Sequence, residues 1–183
     1  MARGSGIELD LMPAFHERPA FEESAPTFAE IGAAKALHYS RFTDAMVLAD
    51  DSGLVVPALG GAPGVRSARY AGPNATDEEN NRKLLGELAG REGDERRARF
   101  VCVAALARRR RALAIVSDFA EGLILREPRG NGGFGYDPLF FSPDLGCTFA
   151  EATQERKNRH SHRGKAFAKI VAFLTARNSL ILF

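Results

Sequence analysis

The sequence predicts an α/β fold, and three features lead to that prediction. Capping boxes that begin at Thr27 and Thr76 mark the starts of two helices. Apolar runs at 99–107 and 112–117 are typical of strands. A length of 183 residues favours a single domain, 1–183, with room for a sizeable core.

The composition excludes several classes of protein. A net charge of +2 is too small to indicate a nucleic acid or a membrane surface as the partner. No apolar run reaches the roughly 18 residues of a membrane helix, and the N-terminus lacks the apolar core of a signal peptide. Cys102 and Cys147 show no C-x-x-C spacing, so we expect free thiols, with Cys102 in the core. A cytoplasmic protein with no nucleic-acid partner and no membrane partner is predicted.

The first helix is predicted over about 28–40, where apolar residues recur at helical spacing after the first capping box. Two carboxylates, Glu22 and Glu23, precede it in a proline-containing loop. They are either solvated charges or ligands of a metal ion. The second capping box begins a helix that runs to about Leu88.

A strand, a turn and a second strand are predicted over 46–56, with Asp50, Asp51 and Ser52 at the turn. Neighbouring side chains of an extended segment point to opposite faces, so one aspartate can face a pocket while the other points into the turn or the body of the fold. A glycine-rich segment with two arginines follows at 60–70 and favours a metal and an anion as ligands. The alternative is that Asp-Ser-Gly is an ordinary turn.

The apolar runs at 99–107 and 112–117 are predicted to form a hairpin that turns at Arg108 to Arg111, and 119–126 a further strand. Consecutive arginines are typical of a nucleic-acid patch or of a solvated face that protects an edge. Their place at a hairpin turn favours the solvated face.

The glycine-rich segment 128–141 contains Phe134, Tyr136 and Asp137. Its glycines allow backbone N–H groups to approach a ligand, and its rings can stack on a base. The alternative is a hairpin whose aromatic side chains belong to the core.

Basic side chains precede the last predicted helix, for which Ser161 is the predicted N-cap. Lys157 and Arg163 can hold phosphate or carbonyl oxygens there. His160 and His162 do not share a helix face, so we expect no metal pair. A solvated basic helix start would explain the same charges.

Five short motifs stand in a specific order along the chain. They are T-F at 27–28, A-D-D-S-G-L at 49–54, G-G-A-P-G-V-R-S-A-R-Y at 60–70, G-G-F-G-Y-D-P at 132–138 and S-H-R-G at 161–164. In that order they resemble the inosine triphosphate pyrophosphatase family, also called the Ham1 family. The resemblance implies an α/β fold with a mixed central sheet and two lobes around a cleft. It also implies a homodimer that uses Mg²⁺ to hydrolyse non-standard purine nucleoside triphosphates, such as ITP, dITP and XTP, to the monophosphate and pyrophosphate.

The resemblance also implies roles for individual residues. Asp51 matches the catalytic acidic residue, which activates the attacking water or holds Mg²⁺, and Glu22 or Glu23 matches a metal-binding glutamate. The other matched positions would contact the substrate: Ser52 and Lys157, the base-binding loop of Phe134, Gly135, Tyr136 and Asp137, and His162 with Arg163 at the 6-oxo edge of the purine.

The start of the chain departs from the family pattern. Members begin with a strand and an [S/T]-x-N-x-x-K loop whose lysine holds the triphosphate, and residues 1–22 contain no match to it. We therefore expect a chain that is shortened at the N-terminus, by a start codon assigned downstream or by a genuine loss. One alternative follows from this, a purine-nucleotide-binding relative with weak or absent turnover. Another alternative is a nucleic-acid-binding module that uses Arg108 to Arg111 and the basic cluster at 156–163.

Overall fold

The computed structural model describes residues 6–178, which form a five-stranded sheet with helices on both of its faces. The helices are α1 (Phe28–Tyr39), α2 (Asp77–Glu87), α3 (Gln154–His160) and α4 (His162–Asn178), and the strands are β1 (Val47–Val55), β2 (Arg97–Arg108), β3 (Arg111–Ile124), β4 (Phe140–Ser142) and β5 (Cys147–Thr148). Within residues 6–178, no helix combines the length and the apolar character needed to cross a membrane.

The sheet has the strand order β1-β2-β3-β4-β5, and neighbouring strands are antiparallel. Strand β2 is buried on both faces because α4 packs against Cys102, Ala104 and Leu106, while α1 packs against Ala105 and Ala107. This explains why residues 99–107 form a continuous apolar run rather than an alternating one. The predicted α/β fold with a central sheet is confirmed. The resemblance implied a mixed sheet, whereas the strand pairs within residues 6–178 are all antiparallel.

Both predicted capping boxes begin helices. The hydroxyl of Thr27 accepts a hydrogen bond from the Glu30 N–H at 3.2 Å, and α1 follows. Thr76 and Glu79 bond in both directions, with the Thr76 N–H donating to the Glu79 carboxylate at 2.8 Å and the Glu79 N–H donating to the Thr76 hydroxyl at 3.2 Å. Side chains at these ends satisfy N–H groups that lack partners inside the helix.

The predicted turn at Asp50 to Ser52 is wrong, because Val47–Val55 is one continuous strand. Gly53 does not form a turn; it allows another segment of the chain to pack closely against β1. A Cβ atom at Gly53 would lie 2.5 Å from Ser67 Oγ and 2.6 Å from the Gly64 carbonyl oxygen, so only glycine allows the 60–70 segment to lie against β1 here.

The hairpin between β2 and β3 is confirmed, and it turns at Arg109 and Arg110, which both have positive φ. Arg108 to Arg111 are exposed, as predicted for a solvated face. The separate strand predicted at 119–126 is wrong, because β3 runs without interruption from Arg111 to Ile124. Asp118 lies within the strand, where Lys169 of α4 pairs with its carboxylate at 3.0 Å.

The two cysteines are free, and Cys102 is fully buried between the sheet and α4. Burial raises the pKa of its thiol to about 11. The placement of Cys102 in the core is therefore confirmed.

Candidate active site

Strand β1 places its two aspartates on opposite faces of the sheet. Leu48 packs on the α4 side and Ala49 on the α1 side, so the strand period of two directs Asp50 to α4 and Asp51 to α1. Because β1 is the edge strand of the described sheet, both carboxylates lie at the edge. Each of them enters a polar cluster, whereas the sequence predicted a pocket on one side only.

The Asp51 carboxylate is buried on the α1 side, and its side chain is 9% exposed. One of its oxygens, Oδ2, has no hydrogen-bond partner among residues 6–178. Burial raises the pKa of Asp51 to about 6, the positive charge of Lys35 opposes this shift, and the negative charges of Glu23 and Asp50 add to it. A buried acceptor without a donor is suited to bind a cation, a water molecule or both.

Glu23 belongs to the same cluster. Its carboxylate pairs with Lys35 of α1 and lies 3.7 Å from Arg69, which also donates to the Glu23 carbonyl oxygen at 3.1 Å. The side chain of Glu22 is exposed. Of the two glutamates predicted as metal ligands, Glu23 therefore lies in the cluster with Lys35 beside Asp51.

The residues present fit a hard divalent cation that binds through few protein ligands. No group of three or more His, Cys, Asp or Glu side chains within 6–178 is arranged to enclose a metal. Mg²⁺ commonly binds through one or two carboxylates, with water and substrate phosphates supplying the other ligands. Asp51, with its unpartnered oxygen, and Glu23 match that pattern.

Asp50 organises the α4 side. Its Oδ2 accepts hydrogen bonds from the Ser52 hydroxyl at 2.8 Å and from Arg163 Nε at 3.0 Å. The Nε bond is the one hydrogen bond that the side chain of Arg163 forms within residues 6–178, so its two terminal nitrogens are available to a ligand. Asp50 thus holds the guanidinium by one edge and leaves the other edge free.

A cavity of about 130 Å³ lies beside Arg163. Its walls bring together predicted site residues from three segments: Ser52 of β1, Phe134 to Asp137 of the glycine-rich loop, and His162 with Arg163 at the start of α4. Phe100 and Asp77 also line the cavity. The ring of Phe134 is 61% exposed, with Lys157 Nζ at 4.9 Å and Arg163 Cζ at 5.6 Å from its centroid. An exposed aromatic ring at a cavity mouth offers a face on which a planar base can stack.

His162 is buried in the wall of this cavity, where its ring stacks on Phe100 with centroids 4.7 Å apart. Burial lowers the pKa of His162 to about 3, and the positive charges of Arg163 and Lys157 act in the same direction. The imidazole is therefore neutral at physiological pH. Its Nδ1 has no hydrogen-bond partner among residues 6–178.

The aromatic loop divides between core and site. Tyr136 is buried and donates from its hydroxyl to the Ser67 carbonyl oxygen at 2.8 Å. Asp137 is buried, pairs with Lys157 and accepts from the Phe134 N–H at 2.9 Å. Lys157, predicted as a substrate contact, is thus bound to Asp137 beneath Phe134. Tyr136 belongs to the core, as the alternative interpretation predicted, whereas Phe134 lies at the cavity, and its stacking on a base stays a prediction.

Sequence reasoning missed Lys35, Asp50 as the partner of Arg163, and Asp77. A signal existed for Lys35, because it follows the buried residues Ile31 and Gly32 at the four- and three-residue spacing that places it on the same helix face. Asp77 carried no such signal, since an acidic residue in the first turn of a helix is ordinary.

The order of these site residues along the chain matches a known family. A family model described as the Ham1 family matches residues 1–173. The chain belongs to the Ham1 family. The resemblance of the five motifs is thereby confirmed.

Curated Ham1-family relatives agree with this assignment. The dITP/XTP pyrophosphatase of Geobacillus kaustophilus is 48% identical over 165 residues, which are 90% of this chain and 81% of the relative. The dITP/XTP pyrophosphatase of Desulforamulus reducens is 49% identical over 168 residues, with 92% of this chain and 82% of the relative covered.

Solved Ham1 structures share the fold. A HAM1 protein from Coxiella burnetii has a TM-score of 0.80 at 45% identity, covering 86% of this chain and 81% of that chain. The Staphylococcus aureus Ham1 protein has a TM-score of 0.82 at 39% identity, covering 89% of this chain and 84% of that chain.

Proposed function

We propose that this Ham1-family protein hydrolyses non-standard purine nucleoside triphosphates, such as ITP, dITP and XTP, to the monophosphate and pyrophosphate. The observation that carries the proposal concerns one edge strand, β1. It supplies Asp51 to the acidic cluster, which consists of Asp51 and Glu23 with Lys35 and Arg69, and it supplies Ser52 to the cavity beside Phe134. Relatives that are 46–51% identical are named dITP/XTP pyrophosphatases, which supports the same chemistry here.

The cavity suits a purine that carries an oxo group at position 6. The ring of Phe134 stacks on the base, and Arg163 directs its free N–H groups at the base edge. An oxo group accepts those hydrogen bonds, whereas the 6-amino group of adenine offers hydrogens to a donor and leaves the guanidinium unpaired. The neutral His162 adds a hydrogen-bonding edge without adding charge to the pocket.

The acidic cluster suits the phosphate end of the substrate. Asp51 and Glu23 would hold Mg²⁺, which would neutralise charge on the phosphate oxygens and favour departure of pyrophosphate. Asp51 has two oxygens, so one can hold the ion while the other orients the attacking water and accepts its proton. Lys35 and Arg69 keep Glu23 in position through their ion pairs.

A nucleotide that reaches both clusters passes around the edge of β1. The base lies on the α4 side with Ser52 and Arg163, and the phosphates lie on the α1 side with Asp51. Ser52 is next to Asp51 in the strand, so its hydroxyl lies where the nucleotide would pass from the α4 side of the sheet to the α1 side. The α-phosphorus is attacked at this edge: a bond forms between the water oxygen and the α-phosphorus, and the bond from the α-phosphorus to the bridging oxygen breaks.

Two alternatives are weaker. A nucleotide-binding protein without turnover is not favoured, because the acidic cluster expected of an enzyme is present together with the base cavity. A nucleic-acid-binding module is not favoured, because the four consecutive arginines lie at the hairpin turn, away from the cavity residues. The homodimer and the cytoplasmic location remain predictions.

The test is pyrophosphate release by the 183-residue chain from dITP and from dATP, each with Mg²⁺ and with EDTA. We expect release from dITP to exceed that from dATP by about a hundredfold or more, since a site that donates to an oxo group leaves its donors unpaired with adenine. EDTA should abolish release from both. Equal rates would contradict the base assignment, and tight dITP binding without release would support the binding-protein alternative.

A further inference from the structure

The loop that carries Phe134 is held by one face of α2. The Gly135 N–H donates to Asp77 Oδ2 at 2.5 Å, and the Gly135 carbonyl oxygen accepts from Asn81 Nδ2 at 3.0 Å. Asp77 and Asn81 are four residues apart, so they lie on the same face of the helix. Both backbone polar groups of a single residue are therefore bound by α2.

This contact matters because the ring of Phe134 is not fixed by core packing. The side chain is 61% exposed, and the residue that follows it, Gly135, has a φ of +61°. A Cβ atom at Gly135 would meet no atom within 4 Å, so the backbone angle, and not crowding, requires glycine there. The backbone at this point, between the exposed residue Phe134 and the buried residue Tyr136, is held by hydrogen bonds to Asp77, Asn81 and Asp137.

The geometry of Asn81 is specific to this contact. Its Oδ1 is buried and has no partner within residues 6–178, and its amide nitrogen donates to Gly135. Rotating the amide by half a turn would place Oδ1 against the Gly135 carbonyl oxygen, where two acceptors would repel each other. The hydrogen bond to Gly135 thus sets the orientation of the Asn81 amide. In that orientation Oδ1 stays buried without a hydrogen-bond partner within residues 6–178.

We infer that Asp77 and Asn81 are positioning residues for the ring of Phe134, on which the base stacks. This inference rests on the proposed function, because it takes Phe134 as the stacking surface. Asp77 and Asn81 act on stacking, which every purine shares, whereas Arg163 acts on the 6-position, which distinguishes purines. Their loss should therefore weaken binding of all purine nucleotides by the same factor.

The kinetic test uses Asp77→Ala and Asn81→Ala, with Glu78→Ala and Arg82→Ala as controls on neighbouring exposed positions of α2. We expect KM for dITP and for dATP to rise in both variants of the first pair: about tenfold in Asp77→Ala, which loses a charge-assisted hydrogen bond, and about threefold to tenfold in Asn81→Ala, which loses a neutral one. In both variants kcat should stay within about threefold, and the dITP to dATP preference should be unchanged. The controls should leave KM unchanged. An unchanged KM in both Asp77→Ala and Asn81→Ala, or an equal rise in the controls, would overturn the inference.

A second measurement needs no turnover. Amide hydrogen exchange at Phe134 to Tyr136 in the nucleotide-free protein should be faster in Asp77→Ala than in Glu78→Ala, because the exchanging Gly135 N–H loses its acceptor only in the first variant. Unchanged exchange would overturn the inference. If the unmodified chain releases no pyrophosphate, the proposed function fails. The inference is then tested by the affinity for dIMP, which should fall in Asp77→Ala and Asn81→Ala but not in the two control variants.

Discussion

Asp51→Asn is expected to lower kcat for dITP hydrolysis by about a thousandfold or more, because an amide neither accepts the proton of the attacking water nor contributes charge to a cation site. The substitution keeps the size of the side chain, so the fold should remain. The measurement is pyrophosphate release at saturating dITP and Mg²⁺, with Asp94→Asn as a control on an exposed aspartate that pairs with Arg97. Turnover within tenfold of the unmodified protein would remove Asp51 from the chemistry.

The same substitution is expected to stabilise the metal-free protein at pH 8. The pKa of Asp51 is raised to about 6 in the folded state by burial, so folding favours the protonated form. The stability that this proton contributes is complete below the unfolded value near 3.8 and is lost as the pH rises through about 6. At pH 8 the ionised carboxylate therefore lowers the stability of the folded state by about 3 kcal/mol, and the amide removes this cost.

Urea unfolding in EDTA at pH 4 and pH 8 measures this effect. The gain from Asp51→Asn should be present at pH 8, small at pH 4, and reduced at pH 8 by saturating Mg²⁺, since the ion compensates the charge only in the unmodified protein. A gain of the same size at both pH values would show that Asp51 is not held in a site that resists ionisation.

Arg163→Ala is expected to reduce the preference for dITP over dATP by about tenfold to a hundredfold. The guanidinium is held by Asp50 at 3.0 Å and is a half-buried donor beside the Phe134 ring. Without it, the oxo group of hypoxanthine loses its donors, while adenine loses an unfavourable neighbour, so kcat/KM should fall for dITP and rise or stay level for dATP.

The comparison uses kcat/KM for both nucleotides in Arg163→Ala, Arg163→Lys and Lys169→Ala. The lysine variant keeps a charge but lacks the planar donor pair, so it should recover only part of the preference. Lys169 is an exposed residue of the same helix that pairs with Asp118, and its variant should retain full preference. A preference that survives Arg163→Ala would place the reading of the 6-position on another residue.

The local signals in the sequence were sufficient for much of the fold. Thr27 and Thr76 begin helices in the structure because an N-cap hydrogen bond involves only residues three apart. The hairpin at Arg109 and Arg110 was predictable for the same reason, since its strands are neighbours in sequence.

The errors came from contacts between distant segments. Asp-Ser-Gly indicated a turn, yet Gly53 lies inside β1 because the 60–70 segment packs against it. A separate strand was predicted at 119–126, yet β3 continues through Asp118, whose carboxylate pairs with Lys169 of α4. A local sequence pattern cannot show a partner in another segment of the chain, because only folding brings the two together.

The candidate site divides in the same way. The motifs identified Asp51, Phe134, His162 and Arg163 as residue types with suitable chemistry, and the structure places the last three at one cavity. Among the supporting residues, Lys35 was marked only by its position on the buried face of α1, and Asp77 by no signal, because Lys35 acts through Glu23 and Asp77 through the backbone of Gly135.

The central claim is that water attacks the α-phosphorus of a 6-oxopurine nucleoside triphosphate. Hydrolysis of dITP in water enriched in oxygen-18, followed by mass spectrometry of the products, tests it directly. The account predicts one labelled oxygen in the phosphate of dIMP and none in the pyrophosphate. Label in the pyrophosphate, or the formation of dIDP and orthophosphate, would contradict it.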